Sequence, residues 1–243
     1  IKKMGHLGEK KAYQIYKLLF ARSLNDEMTN LSQLSYNSAM TKTRSIFTLA
    51  VALFAASFTL LPPSEGYKVG DTAADFNLKN VNGKMVSLAG IKEAKGYIVV
   101  FTCNTCPYAV AYQDRIVALH NKYAAQGYPV VAINSNDKEV KLGDSFDKMK
   151  ERAKEQSFPF AYIYDETQEV AKSFGATKTP HVYVLDKNRV VRYMGAIDDN
   201  SEEASAVKEK YVESAVDALL AGKEVAVKET KAIGCGIKWK KSQ

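Results

Sequence analysis

Cys103-Asn104-Thr105-Cys106-Pro107 stands between the apolar run Tyr97-Ile98-Val99-Val100-Phe101 and a helix-like segment. No other stretch constrains the fold as much. Two cysteines separated by two residues can close a small disulfide ring at a helix start. The unpaired N–H groups and positive dipole end of that helix favour a thiolate on the first cysteine, Cys103. The pair could instead be half of a zinc site or an inert buried pair. Zinc needs about two more ligands. The remaining cysteine is Cys235 and the histidines are His6, His120 and His181, none spaced as a second ligand pair. A reversible redox dithiol is the reading the spacing favours, with no metal and no cofactor expected.

The surrounding pattern is that of an α/β domain. Asn82-Gly83 predicts a hairpin turn, with Met85-Val86-Ser87-Leu88 as the returning strand. Tyr97–Thr102 and Tyr128–Asn134 are continuous apolar, β-branched runs, read as buried central strands. Val110, Ile116, Leu119 and Tyr123 recur at helical spacing between Pro107 and Ala125, and Gly127 ends that helix. A charge-rich helix is expected within 136–157, lying over the site with a solvated charged face. Phe160–Tyr164, His181–Leu185 and Val190–Met194 read as strands, Gln168–Phe174 as a helix closed by Gly175, and Glu202–Leu220 as a final amphipathic helix. Strands that alternate with helices and end in a hairpin imply a central mixed sheet covered on both faces, with an N-terminal β-hairpin. Asp165-Glu166 reads as a helix-starting pair, and His120 as a favourable charge at a helix C-terminus.

The net charge of +7 is not a property of this domain. Residues 1–61 carry +5 of it and residues 62–243 only +2, so no nucleic-acid partner is inferred. Met40-Thr41-Lys42-Thr43-Arg44 is a short basic region. Ile46 to Leu61 follows without a charge, and Pro62-Pro63-Ser64-Glu65-Gly66 breaks it. This is the layout of a secretory signal peptide, or of an uncleaved anchor, which is the only route to a membrane. Translation is accordingly expected to start at Met40. Residues 1–39 are then a non-native upstream extension, 40–61 the signal peptide or N-terminal anchor, and 62–243 the folded domain. A real amphipathic extension through Tyr13–Leu24 is the competing view. The expected location is outside the cytoplasm, in a bacterial periplasm or cell envelope.

Lys178-Thr179-Pro180-His181 leads into the strand Val182-Tyr183-Val184-Leu185. A proline directly before a buried strand suits a cis peptide bond. Together with Phe101–Tyr108, Ala132–Asp137, Asp165–Gln168, Ile197–Asp199 and Ile233–Trp239, these residues resemble the thioredoxin-like superfamily. The resemblance is to its alkyl hydroperoxide reductase/thiol-specific antioxidant side, and within it to peroxiredoxin-like "thioredoxin family" proteins. It covers roughly residues 67–239. It implies a thioredoxin-like fold, catalytic roles for Cys103 and Cys106, and a cis Pro180 opposite them. It also implies that Thr179 offers its backbone to an extended polypeptide. Peroxiredoxins carry P-x-x-x-T/S-x-x-C. Here Gly96 and Val100 stand at the proline and hydroxyl positions for Cys103, and Val99 and Cys103 for Cys106.

The expected activity is therefore thiol–disulfide oxidoreduction on protein disulfides or dithiols, with a redox donor as second partner. Cys103, expected to be exposed, attacks the substrate, and the less exposed Cys106 resolves. Uncharged Asn104 and Thr105 argue against a very strong oxidant. The alternatives are a peroxiredoxin-like peroxide reductase and a non-catalytic binding or metal-carrying protein, for which His181 is the one extra ligand candidate. Cys235, flanked by Gly234 and Gly236, is either a small buried hydrophobe pinning the tail together with Trp239, or a third redox residue.

Overall fold

The computed structural model describes residues 66–241. The expected upstream extension and leader lie outside the described residues. Among the described residues no helix is long and apolar enough to cross a membrane.

A seven-stranded mixed sheet forms the centre. Its order across the sheet is β2 (Met85–Val86), β1 (Leu78–Asn80), β5 (Ala161–Tyr164), β4 (Val130–Asn134), β3 (Gly96–Phe101), β7 (His181–Asp186) and β8 (Val191–Gly195). The β3–β4 and β4–β5 pairs are parallel. The β3–β7, β7–β8, β1–β5 and β1–β2 pairs are antiparallel. The predicted hairpin at Asn82-Gly83 is present, with Gly83 at φ 84°, in the left-handed region that glycine tolerates. The expected fold class is the one observed.

Strand periodicity divides the core. Ile98, Val100, Val130, Ala132, Tyr162, Val182 and Val184 face one side. They pack against helices α2 (Gln113–Tyr123), α3 (Phe146–Glu155) and α5 (Tyr211–Leu220), while Ala109 of the short α1 (Pro107–Ala111) packs with Cys103 and Cys106. Their alternate neighbours Tyr97, Val99, Phe101, Val131, Ile133, Tyr183 and Leu185 face the other side, against α4 (Glu169–Phe174). Both faces are buried, which is why these strands read as unbroken apolar runs. Gly96 opens β3 where Tyr128 and the Leu185 carbonyl come so close that a Cβ would collide with both. Gly96→Ala is therefore expected to destabilise the domain by about 1–3 kcal/mol, through overpacking. A shift of the denaturation midpoint at unchanged slope is the measurement that checks it.

Several expectations need correction. The helix after the cysteine pair is interrupted at Tyr112, whose hydroxyl is tied to Asp198 at 2.8 Å, and Val110 points to solvent. The last helix begins at Tyr211 rather than Glu202. Side chains of the preceding loop cap its own backbone: Asn200 Oδ1 accepts from the N–H groups of Glu202 and Glu203, and Asp199 Oδ1 from that of Lys208. Such local bonds compete with helix formation. His120 is not a C-terminal charge. Its Nδ1 accepts the Val130 N–H at 3.2 Å, and burial lowers its pKa, so it is a neutral acceptor.

Candidate active site

The turn after β3 places both cysteines at the start of α1, with Cys106 as its N-cap. Thr179 stands over them. Its hydroxyl lies 3.4 Å from Cys103 Sγ, and its carbonyl accepts from Cys106 Sγ at 3.2 Å. The Thr179–Pro180 bond is cis. Cys103, Cys106, Thr179 and Pro180 are thus brought together from two segments far apart in the sequence.

Neither cysteine is exposed. Cys103 is 6% and Cys106 4% accessible, which overturns the expectation that Cys103 stands open to solvent. The reason lies in a carboxylate the sequence concealed. Asp144, fully buried, accepts from the Asn104 N–H at 2.7 Å, the Thr105 hydroxyl at 2.8 Å and Asn136 Nδ2 at 2.7 Å. Asn104 also donates from Nδ2 to the Gly143 carbonyl and accepts from the Tyr162 hydroxyl. These bonds pull the two residues between the cysteines inward. The charge-rich stretch 136–157 was expected to present a solvated face, but its Asp144 turns into the domain. It precedes α3, where no helical periodicity marks it. On its open side Cys103 borders a small cavity against Gln113, Arg152, Phe158 and Tyr162.

The electrostatics divide the pair. The Cys103 thiol hydrogen-bonds the Cys106 sulfur, which also receives backbone N–H groups of Ala109 and Cys235. This brings the Cys106 pKa down to about 4. Cys103 is held well above the usual thiol value by that same bond, by burial and by Asp144. The sequence places the thiolate on Cys103; the electrostatics favour Cys106, which caps the helix and as a thiolate no longer donates to the Thr179 carbonyl.

Cys235 lies in the same cluster. Strand β9 (Cys235–Gly236) pairs antiparallel with β6 (Lys178–Thr179), Cys235 opposite Thr179. The Cys235 N–H reaches Cys106 Sγ at 3.4 Å. The tail is fastened by the resemblance motifs themselves: Asn136 Oδ1 accepts from the Lys238 N–H, and buried Gln168 donates to the Lys238 carbonyl and accepts from the Lys240 N–H. Ile237 is the buried pin, whereas Trp239, expected in that role, is 38% exposed. Asp165 does start α4, accepting the N–H groups of Val170 and Ala171. His181 is buried against Tyr183 with its pKa brought down to about 4 by burial. Among the described residues no three His, Cys, Asp or Glu side chains form a metal-ligand group.

A family model for AhpC/TSA matches residues 69–194. The chain belongs to the AhpC/TSA family. Its fold is thioredoxin-like. A chloroplastic peroxiredoxin Q of Oryza sativa subsp. japonica is 29% identical over 51% of this chain and 57% of its own length. The match therefore spans little more than half of that relative. Thiol-disulfide oxidoreductase ResA of Bacillus thuringiensis subsp. konkukian is 24% identical over 61% of this chain and 86% of its own. The crystal structure of an uncharacterized conserved protein from Geobacillus kaustophilus covers 73% of this chain and 95% of its own. It is 41% identical, with a TM-score of 0.69.

Proposed function

We propose that this AhpC/TSA-family chain is a thiol–disulfide oxidoreductase in which Cys103 and Cys106 cycle between dithiol and disulfide. The observation that carries the reading is the packing of both cysteines at a helix start beside Thr179, with Cys103 Sγ 3.4 Å from its hydroxyl and Cys106 Sγ 3.2 Å from its carbonyl. The similarity to ResA supports it. Cys106 is enclosed by Cys103, the Thr179 carbonyl and Cys235, while Cys103 borders the cavity, so Cys103 makes the first attack. Its sulfur bonds to one sulfur of the substrate disulfide and the other leaves as a thiolate. The Cys103 proton passes along the hydrogen bond to Cys106. Cys106 then attacks Cys103 Sγ, closing the intrachain disulfide and expelling the second substrate sulfur, and its proton goes to a departing thiolate. One disulfide is consumed and one formed. The partners are protein disulfides or dithiols and a dithiol donor, and the leader at 40–61 fits a site of action outside the cytoplasm.

A peroxide reductase is the second reading. The resemblance to peroxiredoxin Q favours it, and so does the Thr179 hydroxyl, which stands beside Cys103 although the P-x-x-x-T/S pattern is absent. Insulin reduction and peroxide consumption, each with dithiothreitol as donor, separate the two. Insulin turnover without peroxide turnover is expected, and the reverse would establish the second reading in place of the first.

The pH profile gives a further check. The first attack needs the Cys106 thiolate as acceptor of the Cys103 proton, and that form exists above the Cys106 pKa. With Cys106 brought down to about 4, the insulin rate is expected to stay level from neutral pH into mild acid and to fall only toward that value. A rate that drops about tenfold per unit below pH ~9, as for an ordinary thiol, would contradict the assignment.

A further inference from the structure

We propose that Cys235 is a third redox residue, which takes the disulfide over from the buried pair and presents it to the electron donor. The inference rests on the dithiol reading above and extends it. Three observations converge. First, the three cysteines share one cluster: Cys103 and Cys106 pack together, Cys235 packs against them, and its N–H lies 3.4 Å from Cys106 Sγ. Second, Cys235 is partly accessible, whereas Cys106 is buried and Cys103 opens only onto a small cavity, so Cys235 is the most open thiol of the cluster. Third, the approach is built in. A Cβ on Gly234 would run into the Thr179 carbonyl and the Pro180 nitrogen, so only glycine lets the tail lie this close. The β9 strand takes the Thr179 edge, where an extended polypeptide would otherwise add. A donor therefore meets the tail before it meets the pair.

The step is a disulfide interchange with no net oxidation. The Cys235 thiolate attacks Cys106 Sγ of the Cys103–Cys106 disulfide. The Cys106–Cys235 bond forms, the Cys103–Cys106 bond breaks, and Cys103 leaves as a thiolate that takes up a proton equivalent to the one Cys235 released. A dithiol donor then attacks Cys235 Sγ, frees Cys106, and closes its own disulfide on leaving. A disulfide needs Cα atoms within roughly 7 Å, and the direct β-pairing of Cys235 with Thr179 holds the tail at the cluster.

The test uses the full chain, reduced and then treated with limiting diamide, quenched in acid, alkylated and mapped by mass spectrometry. Wild type is expected to give both Cys103–Cys106 and Cys106–Cys235 linked peptides, and Cys103→Ser only the latter. Gly234→Val is expected to keep the first link and lose the second. If Gly234→Val does not fold by circular dichroism, the Cys103→Ser arm decides alone. Oxidised Cys235→Ser is expected to be reduced by dithiothreitol more slowly than wild type. A Cys103–Cys106 link with Cys235 fully alkylated, and no link in Cys103→Ser, would overturn the relay while leaving the dithiol reading intact. No disulfide in any variant, together with absent insulin reduction, would overturn both.

Discussion

Cys103→Ser is expected to abolish insulin reduction, lowering kcat/KM by at least ~10³-fold, because a serine hydroxyl at this position has no accessible anionic form. The fold should survive, since the substitution is nearly isosteric and its hydrogen-bond neighbours, the Thr179 hydroxyl and the Cys106 sulfur, accept or donate to oxygen as well as to sulfur. Cys106→Ser is expected to lose turnover as well, but by a different route. The first attack still occurs, the second cannot, and the substrate stays joined to Cys103 as a mixed disulfide. The pair of variants also fixes the order of attack. A trapped adduct on Cys106 in Cys103→Ser, with none on Cys103 in Cys106→Ser, would reverse the order while keeping the dithiol.

Asp144→Ala is expected to be the most destabilising single change near the site, at about 3 kcal/mol. It strips three donors, the Asn104 N–H, the Thr105 hydroxyl and Asn136 Nδ2, of their acceptor inside the domain. Denaturant unfolding at unchanged slope reads the loss. The effect should extend to the chemistry. Asp144 holds the Cys103 pKa up, so the folded fraction of the variant should show a thiolate on Cys103 at lower pH, followed by its ultraviolet absorbance or by alkylation. A variant with wild-type stability would remove Asp144 from the account of why the cysteines are buried.

Those two residues mark what the sequence reveals and what it hides. Cys103 and Cys106 announce themselves through spacing and through the β-branched run before them. The strands β3, β4 and β7 are legible for the same reason: buried on both faces, they are continuously apolar. Gly127 and Gly175 mark helix ends because each adopts a left-handed backbone, at φ 95° and 72°. Asp144 has no such signal. It sits in a charged stretch, and its burial depends on partners at 104, 105 and 136 that only the folded chain assembles. The strand pairing of Cys235 with Thr179 is equally silent, since a two-residue strand has no periodicity to read. The flanking glycines were the one available clue. The last helix starts later than its apolar spacing suggests because Asn200 and Asp199 cap backbone groups that a helical pattern would claim.

Cys103 and Cys106 are proposed to exchange a disulfide with a substrate. Mixing the fully reduced chain with an equimolar protein disulfide, quenching in acid and mapping the products tests it most directly. The expected products are a reduced substrate and an intrachain disulfide that includes Cys106, formed in equal amounts. A substrate that remains oxidised while Cys103, Cys106 and Cys235 all stay alkylatable would contradict it.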